Sequence, residues 1–579
     1  MLEDLHWADP ALLAFAMHLV EWAAPVPMLI VCTARPEFFG DAPDWGGGLH
    51  NATTIALRPL SDVDTARLVA ALLEQVVLPA TLQARLLEQA GGNPLYAEEV
   101  CRMLAEREGL ARDGRTLRLP VDAELALPDS LSGLIAARLD TVVPDHRALL
   151  EDAAIVGTVF WAGALVAMGG RDPARVRVGL HELVRRDFIR RARSSSVAGD
   201  VEYAFWHVLT REAASARLPR AARARKHASA AAWIEQTAGE RVADQAEVLA
   251  HHYETALQLA RAADVAEQLT TYQGSARHFL VMAGDRMMAL DATRADSYYR
   301  RALTLVPPGD PEQAQVLAKA AQAAHHAGRL ADANRAFEEA IASFRAGGDL
   351  LGAGTAEILR SDLLWFCGEP ARSRDACATA IELLEREPPS VALAIAYAEM
   401  VAKLVFTGQP TAAVEWSDKA TTLARQVGAD EAHQWTLQQR GLARCDLGDW
   451  AGIDDLRQAV ELGLQLGLGR RSAMAYSNLA DRIRLTEGPA AALTIFQAGL
   501  DLCQQRGIVD IGTFCQSDLL QCLFDLGDWD QLVGTADEVI TWSGAQGGSY
   551  AIVLAQSRKA RVLAWRGEVA PANTLIGKA

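Results

Sequence analysis

The sequence predicts a mostly α-helical protein that begins with a short α/β segment and ends in a long helical solenoid. The chain has 579 residues, of which 50% are hydrophobic, 22% are charged and only 6% are aromatic. Alanine and leucine dominate the apolar residues, which favours helix over sheet. Glycines recur every 39 or 40 residues from Gly328 to Gly567. A fixed period of this length indicates stacked helical repeats.

Residues 1–60 alternate between helix and strand patterns. Asp9-Pro10 is typical of a helix start, with a capping residue followed by proline at the first helical position. Met28–Thr33 is a continuous apolar run of strand length, which predicts a parallel strand covered on both faces. Ile55–Leu57 forms a second, shorter strand candidate. We therefore expect residues 1–60 to be part of an α/β domain.

The next two segments are predicted to be mainly helical. Residues 61–127 form helices that break at Gly91–Pro94, where glycines end one helix and proline begins the next. Residues 128–240 contain short helices followed by a two-strand pattern over 188–193 and 202–206. Helices followed by a small hairpin are typical of a winged helix.

From residue 241 to residue 579 the pattern is helical and repeats. Each repeat glycine follows one apolar helix and precedes another, so we expect it to end the first helix of a pair in the left-handed backbone conformation. The pattern resembles tetratricopeptide repeats, because a small residue and then an aromatic follow the turn, as in Ala333 and Phe337. The usual period of that family is about 34 residues, so HEAT-type repeats fit by length alone. Such arrays bind peptides or partner domains, or serve only as scaffolds. The repeat glycines are Gly328, Gly368, Gly408, Gly448, Gly488, Gly527 and Gly567.

The charge of the chain indicates which partners are disfavoured, and its cysteines indicate the cellular compartment. The chain has 56 basic and 73 acidic residues, a net charge of −17, which argues against direct binding of nucleic acid or an anionic membrane by this chain. Its eight cysteines contain no CxxC pair, which argues against a zinc-ribbon site and against a thioredoxin-type redox site. Sparse cysteines predict reduced thiols in the cytoplasm. No apolar run reaches the roughly 18 residues of a membrane helix.

The first residues carry the most specific motif. Glu3 and Asp4 are adjacent carboxylates, and a nucleoside triphosphatase places such a pair at a strand end beside its phosphates, where one carboxylate orients Mg²⁺ and the other polarises the attacking water. An acidic pair alone is a weak indication, since most are solvated. The longer string Glu3–Asp9, Glu-Asp-Leu-His-Trp-Ala-Asp, resembles the Walker B segment of the STAND class of AAA-related ATPases. These are large bacterial signalling proteins with a nucleotide-binding domain, a winged helix and a repeat array.

Three further segments resemble the same class in the same order along the chain. Cys32–Glu37 resembles the strand and sensor-type arginine that follow the Walker B segment. Gly91–Glu99 resembles the lid-helix motif, and Pro128–His207 resembles the winged helix, which acts as an intramolecular switch in this class. The resemblance therefore implies a partial ATPase core in 1–60, a helical lid in 61–127, a winged-helix-like domain in 128–240 and repeats in 241–579.

The resemblance also implies roles for individual residues. Glu3 and Asp4 would be catalytic and would hold Mg²⁺ in the intact protein. Arg35, Asn93 and Pro94 would bind the nucleotide, with the proline near the adenine.

The chain departs from this class in one respect. A P-loop, G-x-x-x-x-G-K-[ST], should precede the Walker B segment, and the sequence contains no such string. Without it no backbone cradle holds the phosphates. We therefore expect this chain to be the C-terminal portion of a larger STAND signalling regulator. In the intact regulator ATP and Mg²⁺ would bind, whereas this chain alone would bind neither stably and would not be catalytic.

Several motifs point to a subfamily and leave alternatives open. Leu5–Asp9, Asn51–Thr54 and Gly92–Glu99 resemble ATPase modules joined behind class III adenylate/guanylate cyclase domains. LuxR-type large ATP-binding transcription regulators share much of the architecture, with a DNA-binding helix-turn-helix after the repeats. A non-enzymatic repeat scaffold with a relic lid is a third alternative. In each case the array would bind a protein or a small-molecule inducer.

Two further clusters have simpler interpretations. The basic residues between Arg211 and His227 lack interleaved aromatics, so a solvated helix face is favoured over a nucleic-acid patch. His251-His252 and His325-His326 are adjacent pairs, whose side chains diverge on a helix, which argues against shared metal ligation.

Overall fold

The chain divides into two compact units. Unit 1 comprises Met1–Leu150, Gly179–Arg190 and Phe205–Ala214, and unit 2 comprises Glu151–Val178, Arg191–Ala204 and Ser215–Ala579. Asn51 and the predicted boundary at residue 127 lie outside the described residues. The computed structural model describes residues 1–22, 26–43, 45–46, 52–73, 78–106, 111–113, 116–118, 128, 130–307, 309–545 and 550–577.

Side-chain caps define the helix starts in unit 1. The carboxylate of Asp9 accepts the N–H of Leu12 at 2.8 Å, at the predicted first turn. The hydroxyl of Ser61 accepts the N–H of Asp64 at 3.1 Å in the same way. The elements are a 3₁₀ turn (Leu5–Trp7), α1 (Pro10–Trp22), α2 (Phe38–Asp41), α3 (Asp62–Leu72), α4 (Ala80–Ala90), α5 (Pro94–Glu106), the antiparallel strands β1 (Ala111–Asp113) and β2 (Thr116–Arg118), and α6 (Leu131–Asp140).

The core of unit 1 lies among α3, α4, α5 and α6. Leu86, Val100 and Leu134 are completely buried there. Each of these residues belongs to the apolar face of its own helix, and these faces pack against one another. This packing positions the turn between α4 and α5, which carries the predicted lid motif.

The parallel strand predicted over residues 28–33 is reduced to a single bridge. Leu2 pairs in parallel with Cys32, and no longer ladder forms among the described residues of this segment. Leu29 is 85% exposed and Met28 49% exposed. A two-sided apolar strand is stable only between neighbouring strands and covering helices, and the described residues do not provide them.

Short helices and three short strands follow. In unit 2, β3 and β5 are antiparallel, and Phe160 lies opposite Tyr203 with the rings stacked at 5.9 Å. β4 and β5 lie at the two positions where strands were predicted. The winged-helix assignment stays a prediction. The elements are α7 (Pro144–Val156), β3 (Val159–Trp161), α8 (Ala162–Gly169), α9 (Pro173–Arg185), β4 (Ile189–Arg191), β5 (Glu202–Phe205), α10 (Val208–Ala216) and α11 (Arg220–Ala238), with strand order β3-β5-β4.

The remainder of unit 2 is a continuous helical array, as predicted. Three helices lead into it: α12 (Ala246–Ala262), α13 (Leu269–Met287) and α14 (Ala292–Leu303). None of the helices in the described part of the chain is both long enough and apolar enough to cross a bilayer. The described residues then contain seven helix pairs: α15 (Glu312–His326) with α16 (Leu330–Ala346), α17 (Leu350–Phe366) with α18 (Pro370–Leu384), α19 (Val391–Phe406) with α20 (Pro410–Val427), α21 (Asp430–Asp446) with α22 (Gly452–Gln465), α23 (Gly469–Thr486) with α24 (Pro489–Arg506), α25 (Val509–Leu526) with α26 (Trp529–Ala545), and α27 (Tyr550–Trp565) with α28 (Val569–Ile576).

The repeat glycines adopt the left-handed conformation that their spacing predicts. All seven have φ between 70° and 94°, and each lies in the turn inside a pair. A second glycine, not predicted, turns the chain between several pairs: Gly348, Gly428, Gly467 and Gly507 have φ between 65° and 76°. Where this second glycine is present, a repeat has two tight turns, one within a pair and one between pairs.

Candidate functional site

The acidic pair lies beside the segment that carries Arg35. The N–H of Leu2 donates to the carbonyl of Val31 at 2.8 Å, and the N–H of Thr33 donates to the carbonyl of Leu2 at 2.9 Å. The N–H of Leu5 continues this pairing to the carbonyl of Thr33 at 2.8 Å. Because the two segments run parallel, Glu3 and Asp4 lie at the same end of the pairing as Thr33 and the residues that follow it.

Asp4 has an unusual backbone conformation. Its φ is 57° and its ψ is 45°, a region that residues other than glycine seldom occupy. Its N–H donates to the hydroxyl of Thr33 at 3.0 Å, and the following Leu5 is only 2% exposed. These contacts anchor the turn and leave the Glu3 and Asp4 side chains at the surface.

The carboxylates of Glu3 and Asp4 could bind a divalent cation, because they have the right ligand atoms and are not engaged by other groups. In the described part of the chain neither carboxylate has a hydrogen-bond or ion-pair partner. Carboxylate oxygens are preferred ligands of Mg²⁺. Arg35 is also exposed and follows Thr33 by two residues. The residues that would cradle the phosphates are not in this sequence, so the fit extends to the metal and not to the whole nucleotide.

Asn93 and Pro94 form the start of α5. The side-chain oxygen of Asn93 accepts the N–H of Leu95 at 3.0 Å, which caps the helix, and Pro94 is its first residue. Gly92 has φ 76° and accepts the N–H of Leu60 at 2.9 Å; a methyl group on it would lie 2.4 Å from the Leu60 carbonyl oxygen. Close backbone approach therefore requires this glycine. Among the described residues no hydrogen bond joins this turn to Glu3 or Asp4.

The end of the lid motif belongs to a buried ion cluster that sequence reasoning missed. Glu99 is bound by Arg138 of α6 at 2.5 Å and by Arg102 at 2.7 Å. Arg138 is 2% exposed and also donates to the carbonyl of Arg186 at 2.8 Å, with its guanidinium 4.5 Å from the Phe188 ring centroid. We call Glu99, Arg102 and Arg138 the Glu99 cluster. The spacing of Glu99 and Arg102, three residues apart on a helix, indicates their pairing, but nothing local indicates Arg138.

A histidine cluster in unit 2 joins residues that are distant in sequence. The Nδ1 atoms of His227 and His252 lie 2.9 Å apart, and His251 is adjacent. Burial and the neighbouring histidines lower the pKa of His227 to about 3 and that of His252 to about 4. Where the structure describes the chain, no group of three or more residues is arranged to hold a metal ion.

Two of the basic residues between positions 211 and 227, Arg217 and Lys226, have acidic neighbours. Lys226 pairs with Asp152, which is fully buried and also binds Arg171 at 2.5 Å. Arg217 lies 4.0 Å from Glu151. These pairs offset part of the positive charge of the segment, which spans the end of α10, a turn and the start of α11 and is therefore not one helix face.

The repeat array carries an open groove between its first two pairs. The groove has a volume of about 540 Å³ and is lined mainly by polar and charged side chains, among them Arg345, Glu382 and Arg386. Its charged lining fits a polar ligand better than an apolar one.

The chain has limited sequence similarity to known proteins. No family model matches the chain. An uncharacterized protein of Rhizobium meliloti (strain 1021) is 28% identical over 219 residues, covering 36% of this chain and 20% of that protein. The chain therefore spans about a fifth of the length of this curated relative.

Solved structures are similar at lower identity. A signal transduction ATPase with numerous domains (STAND) with a tetratricopeptide repeat sensor, from Pyrococcus horikoshii, matches with a TM-score of 0.54 and 13% identity, over 94% of this chain and 75% of that chain. Aspartyl phosphate phosphatase F of Bacillus subtilis matches with a TM-score of 0.39 and 13% identity, over 58% of this chain and 88% of that chain. The first likeness shows a shared fold, with a tetratricopeptide-like helical array, and the second is too distant to support an argument.

Proposed function

We propose that this chain is the C-terminal portion of a STAND-type signalling ATPase. In the intact protein, ATP exchange or hydrolysis would reorient the winged-helix segment and the repeat array, and the array would bind a protein or small-molecule inducer. The observation that carries the proposal is the parallel pairing of Leu2 with Cys32, because it brings the acidic pair and the Arg35 segment to one edge. In open α/β sheets, ligands bind at the carboxyl ends of parallel strands.

Exposed apolar residues support an incomplete sheet. Leu29 is 85% exposed, Ile55 76% and Leu57 92%. Parallel sheets are covered on both faces, so strands from outside this chain would bury these side chains in the intact domain. The fold likeness to a STAND protein is consistent with this organisation.

The residues present would have distinct roles. Bound Mg²⁺ supplies charge neutralisation at the phosphates. Glu3 and Asp4 would hold the metal and polarise water, and Arg35 would pair with phosphate charge. Asn93 and Pro94 would bind the nucleotide from the lid turn, where the Gly92 carbonyl accepts the N–H of Leu60.

Calorimetry with Mg-ATP tests this proposal. Residues 1–579 alone should bind Mg-ATP weakly or not at all, because the cradle is absent. A protein extended upstream through a P-loop should bind Mg-ATP with micromolar affinity, and Asp4→Asn should slow its hydrolysis on the order of 100-fold. Glu88→Gln, at an exposed position of α4, is the matched control. Micromolar binding by residues 1–579 alone, or hydrolysis that Asp4→Asn leaves unchanged, would contradict the proposal.

A second candidate is a non-enzymatic scaffold built on the array. The absence of a P-loop string from the sequence favours it. A stable cellular product that starts at Met1 would support the scaffold, whereas a longer native product would support the ATPase. A cyclase domain encoded upstream, or a helix-turn-helix encoded downstream, would assign the output.

A further inference from the structure

The carboxylate of Glu99 joins two arginines that lie on different helices. Its Oε2 atom accepts a hydrogen bond from Arg138 of α6 at 2.5 Å, and its Oε1 atom accepts one from Arg102 of α5 at 2.7 Å. Glu99 is 3% exposed and Arg138 is 2% exposed. Because a buried ion pair is costly to break, it holds α5 and α6 together at this point.

Both arginines reach the turn between α9 and β4, residues 186–188, which we call the α9–β4 turn. Arg138 donates to the carbonyl of Arg186 at 2.8 Å. The Nε atom of Arg102 lies 3.6 Å from the carboxylate of Asp187. The turn is therefore held from α5 and from α6 at the same time, and all of these residues belong to unit 1.

The backbone of the α9–β4 turn is strained at its middle residue. Asp187 has φ 55°, a left-handed conformation that residues other than glycine seldom adopt. Its N–H donates to the carbonyl of Val184 at 3.1 Å, and the N–H of Phe188 donates to the carbonyl of Leu183 at 3.1 Å. Such a conformation persists only where the surroundings hold it, and it is common at ligand sites and switch regions.

The same turn adjoins the points where the chain passes out of unit 1. The N–H of Trp206 donates to the carbonyl of Phe188 at 3.1 Å, and the guanidinium of Arg102 lies 5.4 Å from the Trp206 ring centroid. The chain leaves unit 1 after Arg190 and returns to it at Phe205. A displacement of the α9–β4 turn therefore displaces residues next to both of these crossings.

The start of α5 carries the residues predicted to bind the nucleotide. The side chain of Asn93 caps the helix by accepting the N–H of Leu95 at 3.0 Å. The hydroxyl of Tyr96 donates to the carbonyl of Pro128 at 2.7 Å. The helix then continues without a break over Pro94–Glu106. Rigid helices and buried polar networks carry energetic coupling between separate sites.

We propose that Glu99 is a positioning residue that couples the first turn of α5 to the α9–β4 turn through Arg138 and Arg102. This inference rests on the proposed function, because it names how nucleotide at Asn93 and Pro94 is sensed elsewhere in unit 1. Nucleotide at the lid turn would fix the first turn of α5, and the buried pair would make the α9–β4 turn follow. Since coupling is reciprocal, release of the α9–β4 turn would weaken nucleotide binding.

A buried pair that only stabilises the fold predicts a different behaviour. Removing it would add independently to the effect of a change at the start of α5, as expected for sites that do not interact. A coupling residue makes the two effects non-additive at the α9–β4 turn. Hydrogen exchange reports local opening in each region separately, so it distinguishes the two cases.

A double-mutant cycle on residues 1–579, followed by hydrogen exchange and mass spectrometry of short peptides, tests the coupling. Asn93→Ala removes the cap of α5, so exchange should rise about 5-fold or more at the first turn of α5 and also in peptides that contain Phe188 or Trp206. In a Glu99→Gln background, the same change should raise exchange at the first turn of α5 alone, because the connection to the α9–β4 turn is already lost.

Two further variants complete the cycle. Glu98→Gln is the matched control: Glu98 is adjacent in sequence and pairs with Arg102 at 2.6 Å from a side chain that is 32% exposed, so the transmitted rise should be unchanged. Arg138→Lys keeps a positive charge beside Glu99 but lacks the fork that also reaches the carbonyl of Arg186. It should abolish the transmitted rise at the α9–β4 turn, and it decides the matter if Glu99→Gln loses helical circular dichroism.

Equal rises at the α9–β4 turn in the wild-type and Glu99→Gln backgrounds would overturn the inference, and so would a rise confined to α5 in both. These measurements use no nucleotide, so either result leaves the ATP proposal standing. In the protein extended upstream through a P-loop, Mg-ATP should lower exchange at both turns. An effect on neither turn would overturn the ATP proposal and leave the coupling standing, whereas an effect on the first turn of α5 alone would overturn the coupling.

Discussion

The Glu99 cluster is the most demanding polar arrangement in unit 1. Glu99 and Arg138 are 3% and 2% exposed, and their carboxylate and guanidinium are 2.5 Å apart. Removing charges from water is costly, and a buried pair recovers that cost only when both partners are present. The cluster therefore ties α5, which starts with Asn93 and Pro94, to α6 and to the backbone at Arg186.

Breaking this pair should destabilise unit 1 strongly. Arg138→Met leaves the Glu99 carboxylate buried without its main partner, and we expect a loss of about 3–5 kcal/mol in the free energy of unfolding. Urea unfolding followed by circular dichroism measures it. Arg67→Met removes an exposed pair with Asp64 and should cost less than about 1 kcal/mol. Equal effects of the two changes would show that the buried pair contributes little.

The histidine cluster should make unit 2 sensitive to acid. The pKa values of His227 and His252 lie at about 3 and about 4 in the folded protein, below the unfolded value of roughly 6.5. Since the folded state holds both rings neutral, their contribution is complete above pH 6.5 and is lost as the pH falls from there toward 4. Each ring should cost on the order of 1 kcal/mol per pH unit in that window.

Urea unfolding at pH 7.5 and pH 5 measures this dependence. His252→Gln should flatten it, because that ring no longer takes up a proton on unfolding. His326→Gln, at an exposed position, should leave it unchanged. A His252→Gln variant with the wild-type difference between the two pH values would refute the assignment.

At the scale of a single element, each helix pair depends on one turn. Gly408 has φ 70°, and a methyl group added to it would meet nothing within 4 Å. Gly408→Ala therefore adds no clash and should destabilise the array by about 1–2 kcal/mol through backbone strain alone. Gly534 lies within α26 with equally open space and without a positive φ, so Gly534→Ala should stabilise by about 0.5–1 kcal/mol. Thermal unfolding of the two variants should show shifts of opposite sign, and shifts of the same sign would contradict the left-handed turn.

At the scale of the whole molecule, the chain divides differently from the order of its predicted segments. Unit 1 takes Gly179–Arg190 and Phe205–Ala214 from within the predicted winged-helix segment, and unit 2 takes the stretches between and after them. Composition shifts and Gly-Pro breaks mark boundaries along the chain, whereas a compact unit is defined by contacts between distant segments. The apolar run at residues 28–33 shows the same limit. Its sequence predicts a strand, but a strand needs partners, and here it has one bridge.

The sequence by itself determined the helical array and the positions of its turns. A glycine that ends a helix, and an apolar face with helical spacing, act through neighbours a few residues away, so a 40-residue period is sufficient to predict them. It also located the acidic pair and the capping residue Asp9. Only the tertiary structure decided that Glu99 pairs with Arg138, 39 residues away, and that His227 lies beside His252. Each of these contacts depends on how separate helices pack, and the local sequence pattern does not predict that packing.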